Sequence, residues 1–201
     1  DDLICFGKDK GIFQVAVSRS RVTELYTLST FPCEKYYGIV YNEKHNVLVL
    51  LPNTTKAFRP DGSERGVLYV MNSAYAVTQG PIVNPDNPEE AGVGRDVCGN
   101  VPWSDDLVYM FGGSSGNRFY AEYDISTNTF TRRVSFVNAF RYSIVSDNKI
   151  FFLPGTTSDG RTGVIRVTQS TADYRGDDLP SGFYCKGAAL DGLSIHMSGF
   201  R

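Results

Sequence analysis

The 201-residue chain contains two histidines, the residue type that most often serves as an acid or base in catalysis. His45 stands beside Asn46 in a predicted hairpin turn, which favours a solvent-exposed side chain over a catalytic base. His196 alternates with Ile195 and Met197 in an apolar strand pattern, so we expect it on the opposite face from those residues. No serine nucleophile elbow and no cysteine–histidine pairing can be read from the spacing, and no catalytic residue is predicted.

The four cysteines, Cys5, Cys33, Cys98 and Cys185, contain no CxxC pair and no cysteine–histidine spacing suited to zinc. Their even number would allow two disulfide bonds in a secreted protein, whereas in a reducing compartment they would be four small buried side chains. The sequon at Asn53 would be a glycosylation acceptor only in a secreted protein. No metal site or cofactor is predicted, and secreted and intracellular locations stay equally open.

Aromatic and charged residues in predicted loops are the candidate binding residues. Trp103, the only tryptophan, precedes a predicted turn, where it could stack on a sugar, anchor a protein partner or pack between sheets. Arg95, Asp96 and Arg141 stand where predicted loops meet a first strand. The glycine-rich segment 112–117 links two strand patterns rather than opening a helix, so the helix dipole that would hold a phosphate is missing.

Composition and charge limit the classes of partner. Hydrophobic residues make up 41% and aromatic residues 13% of the chain, which favours β-strands over a helical bundle. The formal net charge is −2, and the basic pairs Arg19 with Arg21 and Arg132 with Arg133 are predicted to be solvated strand ends, so a nucleic-acid partner is not expected. No apolar run approaches the ~18–20 residues that span a bilayer, and membrane insertion is not expected.

The candidate residues lie within copies of a repeated sequence unit. Each copy contains alternating apolar residues, a short polar turn and a strongly apolar strand. The turn residues are separated by 44, 60, 42 and 44 residues, at Asp2, Asn46, Asp106, Asn148 and Gly192. Asp, Asn and Gly tolerate the positive φ that a two-residue hairpin turn requires. This spacing predicts four strands per copy, which is typical of the blades of a β-propeller.

We therefore predict an all-β chain that forms one β-propeller domain, or a fragment of one, over residues 1–201. Its four-stranded antiparallel blades, about four in total with partial first and last ones, are predicted at 1–30, 33–83, 97–136, 140–175 and 183–201. Residues 80–96 carry three prolines and three glycines, which predicts an inter-blade loop. Because the chain opens within a blade, we expect either a four-bladed ring with an accessory strand or part of a larger ring.

One copy, residues 107–133, resembles the kelch repeat. Its apolar strand ends in the doublet Gly112-Gly113, the pair Tyr123-Asp124 follows, and Phe130 stands where the family usually has tryptophan. Paired glycines would allow a sharp exit from a buried strand, the tyrosine would supply a packed ring, and the aspartate would cap a turn. The resemblance covers this blade well and its neighbours poorly.

The resemblance implies a module for protein interaction, because kelch-like propellers are mostly interaction domains and only a minority are enzymes. We predict a non-catalytic binding module whose loops contact a protein partner. A carbohydrate-binding or carbohydrate-processing propeller is the first alternative, and aromatic residues with paired carboxylates would favour it. A structural domain of a large assembly, including a viral or phage appendage, is the second, and an apolar surface along an open edge would favour that one.

Overall fold

The computed structural model describes ten segments of the chain, residues 2–7, 11–27, 36–52, 67–82, 97–114, 117–136, 140–154, 163–175, 184–192 and 194–200. These segments contain seventeen β-strands and one 3₁₀ helix, Val17–Arg19. The strands form five antiparallel sheets, and within each sheet the strands that follow one another in the chain are neighbours. Each sheet is therefore a simple meander, which is what short polar turns between apolar strands produce.

The five sheets follow chain order. The first contains β1 (Asp2–Gly7), β2 (Gly11–Ala16) and β3 (Arg21–Tyr26). The second contains β4 (Tyr36–Asn42), β5 (Val47–Pro52), β6 (Val67–Asn72) and β7 (Val77–Ile82). The third contains β8 (Val97–Asn100), β9 (Leu107–Ser114), β10 (Asn117–Asp124) and β11 (Thr129–Phe136). The fourth contains β12 (Phe140–Ser146), β13 (Lys149–Pro154), β14 (Val164–Val167) and β15 (Ala172–Arg175), and the fifth contains β16 (Tyr184–Asp191) and β17 (Ser194–Phe200).

Apolar side chains on both faces of the central strands hold neighbouring sheets together. Along β5, Val49 and Leu51 pack against the third sheet, whereas Leu50 between them packs against the first sheet. Successive side chains of a strand point to opposite faces, so a strand that is buried on both faces has a continuous apolar sequence. This explains the uninterrupted run of β5, and the same rule places Tyr109 and Phe111 of β9 against the fourth sheet.

The first strands of the last four sheets, β4, β8, β12 and β16, lie beside one another in that order. We call them the inner strands. Each is paired with the second strand of its own sheet. The first sheet has no inner strand among the described residues, and β1 lies at its edge.

Three of the five predicted turn residues have the expected positive φ, whereas Asp106 does not and Asp2 belongs to strand β1. Two of the turns are also longer than predicted. Positive φ values occur at Asn46 (51°), Asn148 (60°) and Gly192 (57°). The turn between β12 and β13 has two residues, whereas 43–46 and 101–106 connect the inner strands of the second and third sheets to their partners. In the first of these, Asn42 Oδ1 accepts a hydrogen bond of 3.0 Å from the His45 backbone N–H, which stabilises the longer turn.

Part of the predicted inter-blade loop 80–96 is strand. Strand β7 continues to Ile82, and within it Gly80 packs so closely against the side chain of Leu68 that a Cβ atom there would overlap it. Residues 83–96 lie outside the described residues. A second difference concerns the glycine doublet: Gly112 and Gly113 lie within β9 and pair with Phe119 and Arg118, so they do not end the strand.

Candidate functional site

The turns that follow β4 and β8 meet at one edge of the molecule. Asn42, which is 2% exposed, donates hydrogen bonds from Nδ2 to Asn100 Oδ1 (3.1 Å) and to the Asp105 carbonyl (2.8 Å). In return, Asn100 Nδ2 donates to the carbonyl of Tyr41 (2.8 Å). Two carboxamides that bond each other and the opposite backbone fix the ends of the two inner strands in register.

An ionic cluster continues this connection. Asp106 accepts a hydrogen bond of 2.8 Å from Lys44 Nζ at Oδ2, and Oδ1 lies 2.6 Å from His45 Nε2. The hydrogen bond from Lys44, followed by that with His45, lowers the pKa of Asp106 below its ordinary value. The His45 side chain is 24% exposed, so the expectation of a solvent-exposed histidine is wrong. Both carboxylate oxygens of Asp106 have partners, so the cluster connects two turns and leaves no free base.

A small polar cleft of about 360 Å³ opens beside the cluster. Its lining is Asn42, Glu43, Lys44, Asn100 and Asp105. Since the asparagines already bond across the two sheets, the cleft is a connection between sheets rather than a preformed ligand pocket.

A buried carboxylate joins the third and fourth sheets. Glu122, 4% exposed, accepts a hydrogen bond of 2.7 Å from the Tyr120 hydroxyl and lies 3.4 Å from Arg132 Nη1. Arg132 also donates to the Thr168 carbonyl of the fourth sheet (2.7 Å). Burial, and then the charge of Glu122, raise the pKa of Tyr120. Arg132 is therefore not the solvated strand end that was predicted, because it compensates a buried charge.

The Arg133 side chain, which was also predicted to be a solvated strand end, lies over an aromatic ring. Its guanidinium carbon lies 4.4 Å from the centroid of the Phe119 ring, a distance at which a cation is attracted to the face of an aromatic ring.

The kelch-like residues of the third sheet have local structural partners. The Tyr123 ring is buried, and its centroid lies 5.8 Å from the centroid of the Phe130 ring. The Tyr123 hydroxyl donates a hydrogen bond to Asn128 Oδ1 (2.8 Å). Burial, followed by the charge of Asp124, raises the pKa of Tyr123 to about 12. Asp124 Oδ1 accepts hydrogen bonds from the Ser126 backbone N–H (2.8 Å) and hydroxyl (2.6 Å), the geometry of a turn cap.

A groove of about 490 Å³ lies between the first and second sheets. Its lining is Ile4, Tyr41, Asn46, Val47, Leu48, Met71, Asn72, Ser73 and Tyr75. Tyr41 is 52% exposed, and Ile39, two residues earlier on the same face of β4, is 39% exposed. Tyr75 has a φ of 63°, a strained value for a bulky residue, and its carbonyl accepts a hydrogen bond from the Tyr26 hydroxyl (2.5 Å).

The four candidate binding residues of the sequence do not meet at one place. Trp103 lies in the turn after β8 and packs, partly buried, against the apolar core between the third and fourth sheets. Arg141 is the second residue of β12, at the far end of that strand from its own turn, so the two residues lie at opposite ends of neighbouring inner strands. Arg95 and Asp96 lie outside the described residues.

The groove residues Tyr41, Met71 and Tyr75 were missed by the sequence analysis. The sequence carries no signal for them, because Tyr41 stands in an apolar strand like its buried neighbour Val40, and only the packing of the sheets distinguishes the two.

The cysteines with described side chains are not paired. Cys98 and Cys185 are free thiols in the structure. Burial raises the pKa of Cys98 to about 11, so the thiol is neutral and unreactive at physiological pH. The side chain of Cys5 and all of Cys33 and Asn53 lie outside the description. Within the described segments, no group of three or more His, Cys, Asp or Glu side chains could hold a metal ion.

No helix in the described part of the chain is long and apolar enough to cross a membrane.

The fold resembles those of solved structures that include the following three. Virginiamycin B lyase from Staphylococcus aureus aligns with a TM-score of 0.56 and 12% identity, over 98% of this chain and 59% of the lyase. A chain of a nidogen/laminin complex aligns with a TM-score of 0.54 and 9% identity, over 98% of this chain and 70% of that one. The β-propeller domain of the trilobed protease from Pyrococcus furiosus aligns with a TM-score of 0.55 and 6% identity, over 99% and 70%.

These neighbours are β-propellers, and the predicted fold class is confirmed: the chain is all-β, with four-stranded antiparallel blades, about four in number. The chain spans 59% of the length of the lyase. At 6–12% identity the likeness concerns the fold alone. No protein-family model and no curated protein sequence matches the chain. Membership of the kelch family stays a prediction.

Proposed function

We propose that the chain is a non-catalytic binding module that holds a protein partner in the groove between its first and second sheets. The observation that carries the proposal is a pair of large apolar side chains on one face of β4, of which Ile39 is 39% and Tyr41 is 52% exposed. These two residues continue the core made by Leu50 and Met71, both buried. Apolar surface that lies in a groove and stays in contact with water is typical of interaction sites, because its burial on binding is favourable.

The strained turn at the rim of the groove supports the proposal. Tyr75 keeps a positive φ because its backbone N–H donates to the Asn72 carbonyl (2.9 Å) and its own carbonyl accepts from Tyr26. Strain held in place by surrounding bonds is concentrated at functional sites. A rigid aromatic residue on the edge of an apolar groove can also contribute strongly to binding at a small entropic cost.

A protein fits the groove better than a glycan does. The described lining residues include two tyrosines but no carboxylate, whereas the carbohydrate alternative calls for aromatic residues with paired carboxylates. The kelch resemblance of residues 107–133 supports an interaction role, and one structural neighbour is a chain from a nidogen/laminin complex. Trp103, Arg141, Arg95 and Asp96 are proposed as additional contacts at the ends of the inner strands.

Photo-crosslinking from the groove tests this function. A benzophenone amino acid is placed at Tyr41, and, as the matched control, at Val145, which is 42% exposed on the inner strand β12. We expect a protein adduct from position 41 that is absent from position 145. The captured protein, once purified, should bind the chain, and Tyr41→Ser should weaken this binding roughly tenfold while Val145→Ser changes it less than about twofold.

Two results would contradict the function. Adducts of equal yield from both positions would mean that the groove has no preference for a partner. A captured protein whose affinity is indifferent to Tyr41→Ser would mean that it binds elsewhere.

One observation favours a second candidate, a structural domain of a larger assembly. Leu3, Val15 and Val22 are cross-strand neighbours on the face of the first sheet that points away from the second, and Leu3 and Val22 are 58% and 64% exposed. An apolar row along an outer sheet is the feature expected of a face that packs on another blade or subunit. Crosslinking from Val22 distinguishes this candidate, because it predicts adducts from Val22 rather than from Tyr41.

A further inference from the structure

The turn between β16 and β17 brings an exposed carboxylate next to a glycine. Asp191, the last residue of β16, pairs with Ser194, so Gly192 lies in the turn and its backbone N–H is outside the ladder. The Asp191 side chain is 88% exposed. Gly192 has a φ of 57°, and open space surrounds the position that a Cβ atom would occupy there. A carboxylate therefore stands beside a peptide nitrogen that no side chain of its own residue shields.

Two other aspartates beside described turns have carboxylates that hydrogen bonds hold in a fixed orientation. Asp106 Oδ2 accepts a hydrogen bond from Lys44 Nζ (2.8 Å). Asp124 Oδ1 accepts hydrogen bonds from the Ser126 backbone N–H (2.8 Å) and hydroxyl (2.6 Å). Neither aspartate is followed by glycine. Asp191 thus combines a solvent-exposed carboxylate with the least hindered peptide nitrogen after it.

His196 lies across the hairpin from this carboxylate. It pairs with Ala189, two residues before Asp191 and on the same face of β16, and its Nε2 lies 4.0 Å from Asp191 Oδ2. Its neighbours Ile195 and Met197 pack against the core between the fourth and fifth sheets, whereas the His196 side chain is 67% exposed. Because an imidazole gains and loses a proton near neutral pH, a proton donor stands beside the carboxylate.

We infer that Asp191 is a site of spontaneous modification, at which the main chain isomerises through a cyclic imide formed with Gly192. The Gly192 nitrogen attacks Cγ of Asp191, so that a C–N bond forms and one C–O bond of the carboxylate breaks. The departing oxygen takes the proton of the Gly192 nitrogen and a second proton from the His196 imidazolium, and leaves as water.

Water is the co-reactant of the second step. It adds to either carbonyl carbon of the imide, breaks the C–N bond there, restores a carboxylate and returns a proton to His196. Addition at the side-chain carbon regenerates the ordinary aspartate. Addition at the main-chain carbon leaves the peptide bond on the former side chain, so the main chain becomes one carbon longer and cannot keep Asp191 opposite Ser194.

This modification goes beyond the proposed binding function, because it concerns a turn of the fifth sheet and not the groove. The test is to age the folded chain at neutral pH in water that contains heavy oxygen. Each passage through the imide places one heavy oxygen atom in the carboxylate. Trypsin, used afterwards in ordinary water, releases residues 187–201, in which Asp191 is the only residue with a side-chain carboxyl or carboxamide group. Mass spectrometry of this peptide therefore reports on Asp191 alone.

The chain contains a matched control in the turn between β12 and β13. Asp147 and Asn148 occupy this turn with φ values of 40° and 60°, and the residue that follows the aspartate has a side chain. We expect Asp191 to take up heavy oxygen at least roughly tenfold faster than Asp147, because the Asn148 side chain hinders approach to its own nitrogen. Loss of the Asn148 amide changes the mass differently and is counted separately.

Two variants test the assigned roles. Gly192→Asn reproduces the Asp-Asn pair of the control turn, tolerates the positive φ, and should slow the uptake of heavy oxygen by roughly tenfold. His196→Gln keeps a polar side chain but has no proton to deliver, and should slow the uptake by at least roughly threefold.

Three results would overturn the inference. Equal uptake at Asp191 and Asp147 would show that the glycine confers no reactivity in the folded chain. Uptake at Asp191 in urea but not in the folded chain would show that the hairpin holds the carboxylate away from the Gly192 nitrogen. An unchanged rate in His196→Gln would show that His196 does not supply the proton.

Discussion

Two interfaces between neighbouring sheets are built from similar apolar strands but differ in how completely they are buried. One joins the second and third sheets, and the other joins the first and second. In the former, the inner strands β4 and β8 lie side by side, Asn42 and Asn100 bond across them, and Val49, Leu51 and Met110 are completely buried. In the latter, Ile4 and Ile12 pack against Leu50, the first sheet has no inner strand among the described residues, and a groove of about 490 Å³ is open.

The difference teaches that the inner strand is what closes an interface in this repeat. The second and third strands of neighbouring sheets bring apolar faces together, whereas the face of an inner strand is buried where the neighbouring sheet supplies its own inner strand. Stability and the capacity to bind are therefore expected to be distributed unequally: the closed interface stabilises the fold, and the open one remains available to a partner.

The largest expected contrast comes from matched leucines on the two faces of β5. Leu51→Ala removes a completely buried side chain from the closed interface and should lower the free energy of unfolding by about 2–5 kcal/mol. Leu48→Ala removes a half-buried side chain from the groove and should cost only about 1 kcal/mol. Urea denaturation followed by tryptophan fluorescence measures both. Equal costs would break the distinction between a closed and an open interface.

A pair of asparagines gives an intermediate contrast. Asn42→Ala removes the donor that Asn100 and the Asp105 carbonyl share in a partly buried place, and should destabilise the fold by about 1–3 kcal/mol. Asn72→Ala removes only the hydrogen bonds that Asn72 Oδ1 accepts from Ala74 and Ala76 in an exposed turn, and should cost about 0.5–1 kcal/mol. Thermal unfolding ranks the two variants, and a larger effect at Asn72 would contradict this comparison.

The smallest expected effect is a pH dependence at Cys98, beneath β4 in the closed interface. In the unfolded chain the Cys98 thiol loses its proton when the pH rises above the ordinary pKa of cysteine. In the folded chain burial raises this pKa to about 11, so the thiol stays protonated up to about that pH. The unfolded state therefore binds fewer protons in this window, and stability should fall by about 1 kcal/mol between pH 7 and pH 9.5. The control Cys98→Ala should lack this part of the decline. A wild-type curve that parallels the variant would show that the thiol is more exposed than the structure indicates.

Much of the fold could be predicted because its signals are local. The alternation of apolar residues and the Asn, Asp and Gly turns at a regular spacing predict four-stranded meanders, and the residues Asn46, Asn148 and Gly192 have the positive φ that this requires. The lengths of the turns could not be predicted, since the turn after β4 depends on a side chain, Asn42, that also bonds to the next sheet.

The candidate site was harder to predict because it is made by contacts between distant parts of the chain. Arg132 and His45 were expected in solvent, but their partners, Glu122 and Asp106, are brought near by strand pairing and by packing of sheets. Trp103 was singled out for its rarity, and only the packing of the third sheet on the fourth places it against an apolar core.

By itself the sequence determined the class of the fold and the spacing of its repeats, because strand alternation and turn chemistry act over a few residues. Only the tertiary structure decided which faces are covered. Burial depends on which strand lies against which, and Ile39 and Tyr41, although they stand in an apolar strand like their buried neighbour Val40, are exposed because the adjacent sheet has no described strand to place over them.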